Sequence, residues 1–265
     1  MKRILALILA TLMVTCLFAG CSKEDNSDDL KYVKDKGTMV VGITLFAPMN
    51  YKDANGDLIG FETEFAKAVC EKLGVKAEFK EINWDSKEVD LSSKNIDCIW
   101  NGMTITEERK ANMSISVPYM KNKQVMVVKK ENAEKYAQSV EGAKISAEAG
   151  SAGEDLANTD EFLKKGEYLS ADSMATALTN VHAGNADVAV VDYVTSIGSI
   201  GEGTDFADLV VVAGKEFSPE EYGIAFRKGS NMTEEVNKII AELMADGTMD
   251  KIAAKYKLTE QLIKG

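Results

Sequence analysis

The chain has 265 residues and a formal net charge of −11, with 42 acidic against 31 basic side chains. That balance argues against a nucleic-acid partner, because neutralising phosphates requires a basic face and no Lys/Arg cluster occurs. Four cysteines without C-x-x-C spacing and a single histidine, His182, argue against a disulfide framework, a zinc centre or a Ser-His-Asp triad.

Met1-Lys-Arg3 heads a mostly apolar run, Ile4 to Phe18, of about fifteen residues, shorter than the roughly twenty of a membrane span and right for a secretory signal. It ends in Leu17-Phe-Ala-Gly-Cys21, which resembles the lipobox of bacterial lipoproteins, with Phe18 where that motif usually has Leu. Residues 1–20 are therefore expected to form a signal peptide and Cys21 to carry a lipid. The plain alternative is an ordinary signal cleaved nearby. Ser22 to Asp29 is polar, highly charged and without apolar periodicity, so residues 21–29 are expected to be a flexible tether. The remaining length suits one large or two modest α/β domains.

Thr38 to Ile43 reads as a buried strand, followed by the loop Phe46-Ala-Pro-Met49. Asn55-Gly56, between Tyr51 and the run Leu58 to Phe61, signals a small hairpin. From Glu62 onward, Phe65, Ala66, Val69, Cys70 and Leu73 recur at helical spacing, and Gly74 ends the segment. Val75 to Ile82 and Ile96 to Trp100 are further strands. Strand and helix thus alternate, as in α/β layers whose loops gather at strand ends. Cys70 and Cys98 read as buried small hydrophobes, with a disulfide between them left open.

Asp97 to Arg109 carries the densest chemistry. Thr104 and Glu107 have capping-box spacing, which predicts a helix start at Thr104. The free amides and positive dipole end of such a start favour an anion, and Arg109 adds a planar fork of donors suited to a carboxylate. A capped surface helix with a solvated Arg109 is the plain alternative.

From Gln124 to Lys129 the same grammar begins again. Lys144 to Glu154 is a strand entering a Gly-rich turn, with Ser151 and Glu154 at capping-box spacing. Ala171 to Val181 reads as helix and Ala186 to Val191 as a strand with Asp192 at its end. Leu209 to Val212 and Glu221 to Phe226 read as two strands, and Glu234 to Met244 and Met249 to Tyr256 as helices separated by Gly247. The recurrence predicts two lobes, each offering a helix start behind a Ser or Thr, which together could hold one small carboxylate. The Gly-Ser-Ala-Gly turn is weak evidence by itself, since it has neither P-loop nor dinucleotide spacing, and a plain αβ turn is the better explanation of it.

Taken together, Val41-Gly42 with Phe46-Ala-Pro48, Asn55-Gly56, Gly60-Phe-Glu62, Ile96-Asp97, Asn101 to Arg109, Ser116-Val-Pro-Tyr119, Gly150-Ser151, Ala186-Asp187, Val191-Asp192 and Glu221-Tyr-Gly-Ile224 carry a resemblance. In order and spacing, from Gly37 to Tyr256, the chain resembles the extracellular substrate-binding proteins of ABC amino-acid importers. The resemblance implies a type II periplasmic-binding-protein fold, with two α/β lobes on a two-strand hinge. Residues 30–123 with 219–265 would form lobe 1, and residues 124–218 lobe 2. It further implies a free L-amino acid as ligand, a membrane permease as partner, a lipid anchor on Cys21 at the cell surface or in the periplasm, a monomer, and no cofactor, metal or catalytic residue.

Position by position, Arg109 would take the ligand α-carboxylate, with the backbone amides of Thr104 and Ala152. Asp192, the Thr104 hydroxyl and the Gly102 carbonyl would hold the α-ammonium. Phe46 and Trp84 would flank the ligand side chain, with core packing as their plain alternative, and Asn101, Glu148 and Ser151 are also expected to be ligand-binding residues. Two positions depart from the pattern. Ile43 stands where several relatives carry Asp, and Glu148 where relatives often have Gln or Lys. A buried carboxylate at 148 would prefer a cation or an amide donor, which tilts the expected ligand toward a neutral polar or basic amino acid. A solvated rim position for Glu148 is equally open. An enzyme on the same fold, such as a dehydratase using Glu148 or Glu62, is the main rival and would need a perturbed carboxyl.

Overall fold

A computed structural model describes residues 28–264, so the expected signal peptide and Cys21 lie outside the described residues. The first segment runs α1 (Asp29–Lys36), β1 (Thr38–Ile43), β2 (Tyr51–Lys52), β3 (Leu58–Ile59), α2 (Phe61–Leu73), β4 (Lys76–Glu81), α3 (Lys87–Ser92), β5 (Cys98–Ile99), α4 (Glu107–Asn112), β6 (Met113–Ile115). The second runs β7 (Met120–Lys129), α5 (Ala133–Gln138), β8 (Lys144–Glu148), α6 (Ala152–Thr159), β9 (Glu167–Ala171), α7 (Met174–Ala183), β10 (Val188–Asp192), α8 (Tyr193–Ser199), β11 (Leu209–Tyr222). The chain then returns to the first body through β12 (Ala225–Arg227), α9 (Met232–Ala245) and α10 (Thr248–Lys255).

The strands form two five-stranded sheets, ordered β4-β1-β5-β12-β6 and β11-β7-β10-β8-β9. Each has three parallel strands and then an antiparallel one, β12 of the returning chain in the first and β7, which opens the second segment, in the second. In open α/β sheets ligands gather beyond the carboxyl ends of such strands. The central ones of those ends are Ile43, Ile99, Glu148 and Asp192, with Glu81 and Ala171 at the sheet edges. β7 and β11 pair antiparallel from Met120 opposite Tyr222 to Lys129 opposite Leu209, with two register shifts between, and are the strands that run from one body to the other.

Burial explains the elements. α2 turns Phe61, Phe65, Ala66, Val69, Cys70 and Leu73 inward at helical period, and Phe65 meets the Trp100 ring edge-on at 4.7 Å. β10, Val188 to Asp192, is buried throughout, as a central strand covered on both faces must be. Cys70 and Cys98 are buried and free, which answers the open disulfide question. Among the described residues no helix is long and apolar enough to cross a membrane.

Several expectations need correction. The tether does not extend to Asp29. Asp28 caps α1 by accepting from the Lys31 amide, and Asp29 is buried against Arg227, whose Nε lies 3.0 Å from its Oδ2. The charged run hid this because the partner is about two hundred residues away. Ala171 is the last residue of β9, and the helix begins only at Met174 behind the Ser173 cap. Leu209 to Val212 and Glu221–Tyr222 are two ends of the single strand β11, whose register shifts interrupt its alternation, and Gly223–Ile224 break it from β12.

Candidate functional site

β5 delivers the chain through Trp100 to the turn at Asn101 and Gly102. Gly102 has φ +58, and a Cβ there would lie 3.1 Å from Phe46 Cζ and 3.3 Å from Tyr222 Cζ, so any other residue would strain the backbone and crowd both rings. Its amide donates to Glu62 Oε1 at 2.8 Å. Glu62 also accepts from the Tyr119 hydroxyl and, at 2.9 Å, from Asn50 Nδ2. Asn50 donates on to Asn101 Oδ1 at 3.0 Å, and Asn101 donates to Thr44 Oγ1 at 2.7 Å. Burial pushes the Glu62 carboxyl up to about 7, although all three of its donors favour the charged form.

The predicted cap at Thr104 is not the one formed. α4 starts at Glu107, and Thr106 is its N-cap, accepting from the Arg109 amide at 3.1 Å. Thr104 instead bridges Tyr222 as an isolated antiparallel pair, and its carbonyl accepts from Arg109 Nη1 at 2.9 Å. Pairing with the end of β11 holds residue 104 extended, so the nearby Thr106 takes the cap. Arg109 is buried and donates from Nη2 to the Gly150 carbonyl at 3.3 Å. It forms no ion pair among the described residues, and burial lowers its pKa. The solvated-arginine alternative does not hold.

Opposite stands the second body. Ser151 caps α6, its Oγ accepting from the Glu154 amide at 3.2 Å, and Glu154 reaches back to the Gly150 amide at 2.6 Å. This is the expected capping box with the carboxylate displaced by one residue. Ala152 is the first residue of α6. β10 ends at Asp192, whose carboxylate accepts from Gln124 and from the Tyr222 hydroxyl and does not cap α8. Gln124 also donates to Glu220 at 2.7 Å. Burial and the neighbouring Glu220 push Asp192 up to about 7.

Glu148 closes β8 at 1% exposure, which removes the solvated-rim alternative. Neither of its oxygens has a hydrogen-bond partner among the described residues. Burial, then Asp192, push it up to about 8, while the Thr44 hydroxyl and then Lys87 pull the other way. Trp84 begins a short 3₁₀ turn after β4 and packs with Leu91, Ile96, Ile99 and Met103. Phe46 is buried in the larger core that holds Phe61 and Phe65. Lys87, three residues after Trp84, is buried and donates to the Trp84 carbonyl at 3.1 Å and to the Gly150 carbonyl at 2.9 Å. Burial and Arg109 lower its pKa to about 8.

Two buried cations thus come from the first body and two buried acids from the ends of β8 and β10. Residues 39–259 match the model of the bacterial extracellular solute-binding proteins, family 3. The chain belongs to that family. The L-cystine-binding protein TcyJ of Escherichia coli K12 is 32% identical over 258 residues, covering 94% of each chain. An ancestral arginine-binding protein bound to arginine superimposes with a TM-score of 0.74 at 36% identity, covering 83% of this chain and 98% of that one. An ancestral amino acid-binding protein, AncCDT-1, a precursor of cyclohexadienyl dehydratase, gives 0.75 at 33%, covering 86% and 98%.

In this family 3 protein, sequence reasoning missed Lys87, Gln124 and Glu220. Lys87 was findable, since it comes just after Trp84 beyond a strand end. Gln124 and Glu220 lie in ordinary strand runs, and only the antiparallel packing of β7 between β10 and β11 brings them to Asp192.

Proposed function

We propose that the protein captures a free L-amino acid between its two bodies and presents it to an ABC importer permease. Arg109, with the Ala152 amide at the start of α6, takes the α-carboxylate. Asp192, the Thr104 hydroxyl and the Gly102 carbonyl take the α-ammonium, and Phe46 and Trp84 flank the side chain. The corrected position of the cap leaves Thr104 its hydroxyl but removes its amide from any helix start. Residues 30–123 with 219–265 move as one lobe and 124–218 as the other, bending at β7 and β11. A ligand stabilises the closed form only through contacts that differ between open and closed, so it must touch both lobes.

The observation that supports this reading most is the pair Arg109 and Asp192, both buried and of opposite sign, one on each body. The ligand is a neutral polar or basic amino acid rather than an acidic one, because Glu148 and Asp192 already place two carboxylates in the site. The protein is a non-catalytic monomer, tethered through a lipid on Cys21 at the cell surface or in the periplasm. Mass spectrometry of small molecules released on denaturing the purified protein, followed by titration calorimetry, tests the reading. It fails if no amino acid is released or bound.

A second reading, elimination from an amino-acid-like carboxylate, draws on the raised Glu148 carboxyl and on the dehydratase lineage that AncCDT-1 precedes. Incubation with bound candidates separates the two, since a carrier returns its ligand unchanged.

A further inference from the structure

Lys87 and Glu148 flank one turn from opposite bodies. Glu148 ends β8, and two residues later the Gly150 carbonyl accepts from Lys87 Nζ at 2.9 Å. β8 and β10 pair in parallel, so Glu148 stands beside Asp192 at the same sheet end. Lys87 and Glu148 act on one another electrostatically but form no ion pair.

Each also has unused hydrogen-bonding capacity. Both oxygens of Glu148 are buried with no protein donor in hydrogen-bond geometry, although the Thr44 hydroxyl is close enough to favour its charged form, an arrangement that is costly unless a further donor is supplied. An ammonium has three N–H groups, and Lys87 commits two of them, to the Trp84 and Gly150 carbonyls. One side of the turn therefore offers acceptors and the other a donor.

We infer that Lys87 and Glu148 form a second polar subsite, selecting an amino acid whose side chain ends in a net-neutral group that both donates and accepts. A carboxamide is the simplest such group, its N–H directed to Glu148 and its C=O to Lys87. The second half of a symmetric bis-amino acid, with ammonium and carboxylate, has the same chemistry. A terminal cation would meet Lys87 with Arg109 behind it, and a terminal anion would force Glu148 to stay protonated with Asp192 behind it. A hydrocarbon end would leave the buried carboxylate without a donor. This rests on the amino-acid reading above and narrows it by separating neutral polar ligands from basic ones.

Titration calorimetry of the ligand-free protein with glutamine, cystine, arginine, glutamate and methionine tests it. Glutamine or cystine is expected to bind at least tenfold more tightly than arginine, glutamate and methionine. Lys87→Met is expected to raise arginine relative to glutamine at least tenfold, and Glu148→Gln to raise glutamate relative to glutamine by a similar factor. Ratios between ligands within one variant cancel any general loss of folded protein. An order led by arginine, glutamate or methionine overturns the subsite while leaving amino-acid capture intact, as do variants that leave both ratios unchanged. A protein that binds none of the five, and releases no amino acid on denaturation, overturns capture itself.

Discussion

The Arg109 guanidinium reaches from α4 to the carbonyl of Gly150 on the other body, 3.3 Å away. The same arginine holds the Thr104 carbonyl on its own body. A group that bonds both bodies is placed to couple ligand binding to closure.

Arg109→Ala is expected to weaken ligand binding by about 2 to 5 kcal/mol, because it leaves a buried ligand carboxylate without its cation. At about 1.4 kcal/mol per tenfold, that is roughly 30-fold to a few thousand-fold in Kd. Calorimetry with the released ligand measures it, and a variant within threefold of the parent would remove Arg109 from the site.

Stability of the ligand-free protein is expected to fall as pH rises from about 5 to about 8. Glu62 and Asp192 are pushed up to about 7 and Glu148 to about 8. In the unfolded chain such groups ionise near pH 4, at about 3.9 to 4.3, so the folded state holds their protons longer. Their stabilising contribution is therefore complete below that point and lost as pH passes through the folded values. Surface acids with lowered pKa, such as Asp187 and Asp208, work in the opposite sense, but only near and below about pH 4. Thermal melts at pH 5 and pH 8 check this, and a higher Tm at pH 8 contradicts it.

With Asp192 as the proposed ammonium partner, a bound amino acid favours its ionised form. Binding near neutral pH is then expected to release protons and to strengthen as pH rises through about 7. Calorimetry in buffers of different ionisation enthalpy reads the proton count. Uptake of protons, or none exchanged, would count against Asp192 as the ammonium partner.

Glu62→Gln sets an amide where three donors converge, the Gly102 amide, the Tyr119 hydroxyl and Asn50 Nδ2. At pH 8, where the parent carboxyl is mostly ionised, a loss of about 1 to 3 kcal/mol is expected from a buried donor left unpaired. The urea midpoint should drop with an unchanged slope, and affinity should weaken too because the Gly102 turn loses its anchor. Full affinity in the variant would show that the turn holds itself.

Gly198 of α8 faces the loop at Pro48 on the other body, and a Cβ there would stand 2.6 Å from Pro48 N. Gly198→Ala suits a helix, by up to about 1 kcal/mol, but blocks this approach. The variant is expected to melt no lower than the parent without ligand, and to bind at least tenfold more weakly. Small-angle scattering should show less contraction on adding ligand than in the parent.

Much was legible in the chain because local rules decide it. The helical period of Phe65, Ala66, Val69 and Cys70 needs only one buried face, and Asn55-Gly56 turns by its own backbone preference. The order of short motifs was enough for the family, and the capping box at Ser151 formed much as its spacing predicts. Phe46, Glu62, Asn101, Tyr119 and Tyr222 around the turn at Gly102 fall within those motifs, whereas Thr44 and Asn50, which complete its hydrogen bonds, do not.

The three-dimensional packing decided the rest. Whether Thr104 or Thr106 caps α4 depends on Tyr222, more than a hundred residues away, which holds Thr104 extended. Gln124 and Glu220 reach Asp192 only because β7 lies between β10 and β11. Lys87 meets Gly150, and Glu148 loses its water, only when two separately built sheets face each other. Spacing along the chain carries the hydrogen bonds a residue makes with near neighbours. The electrostatics of a buried group belong to whatever distant segments exclude solvent from it, and those are set by the fold as a whole.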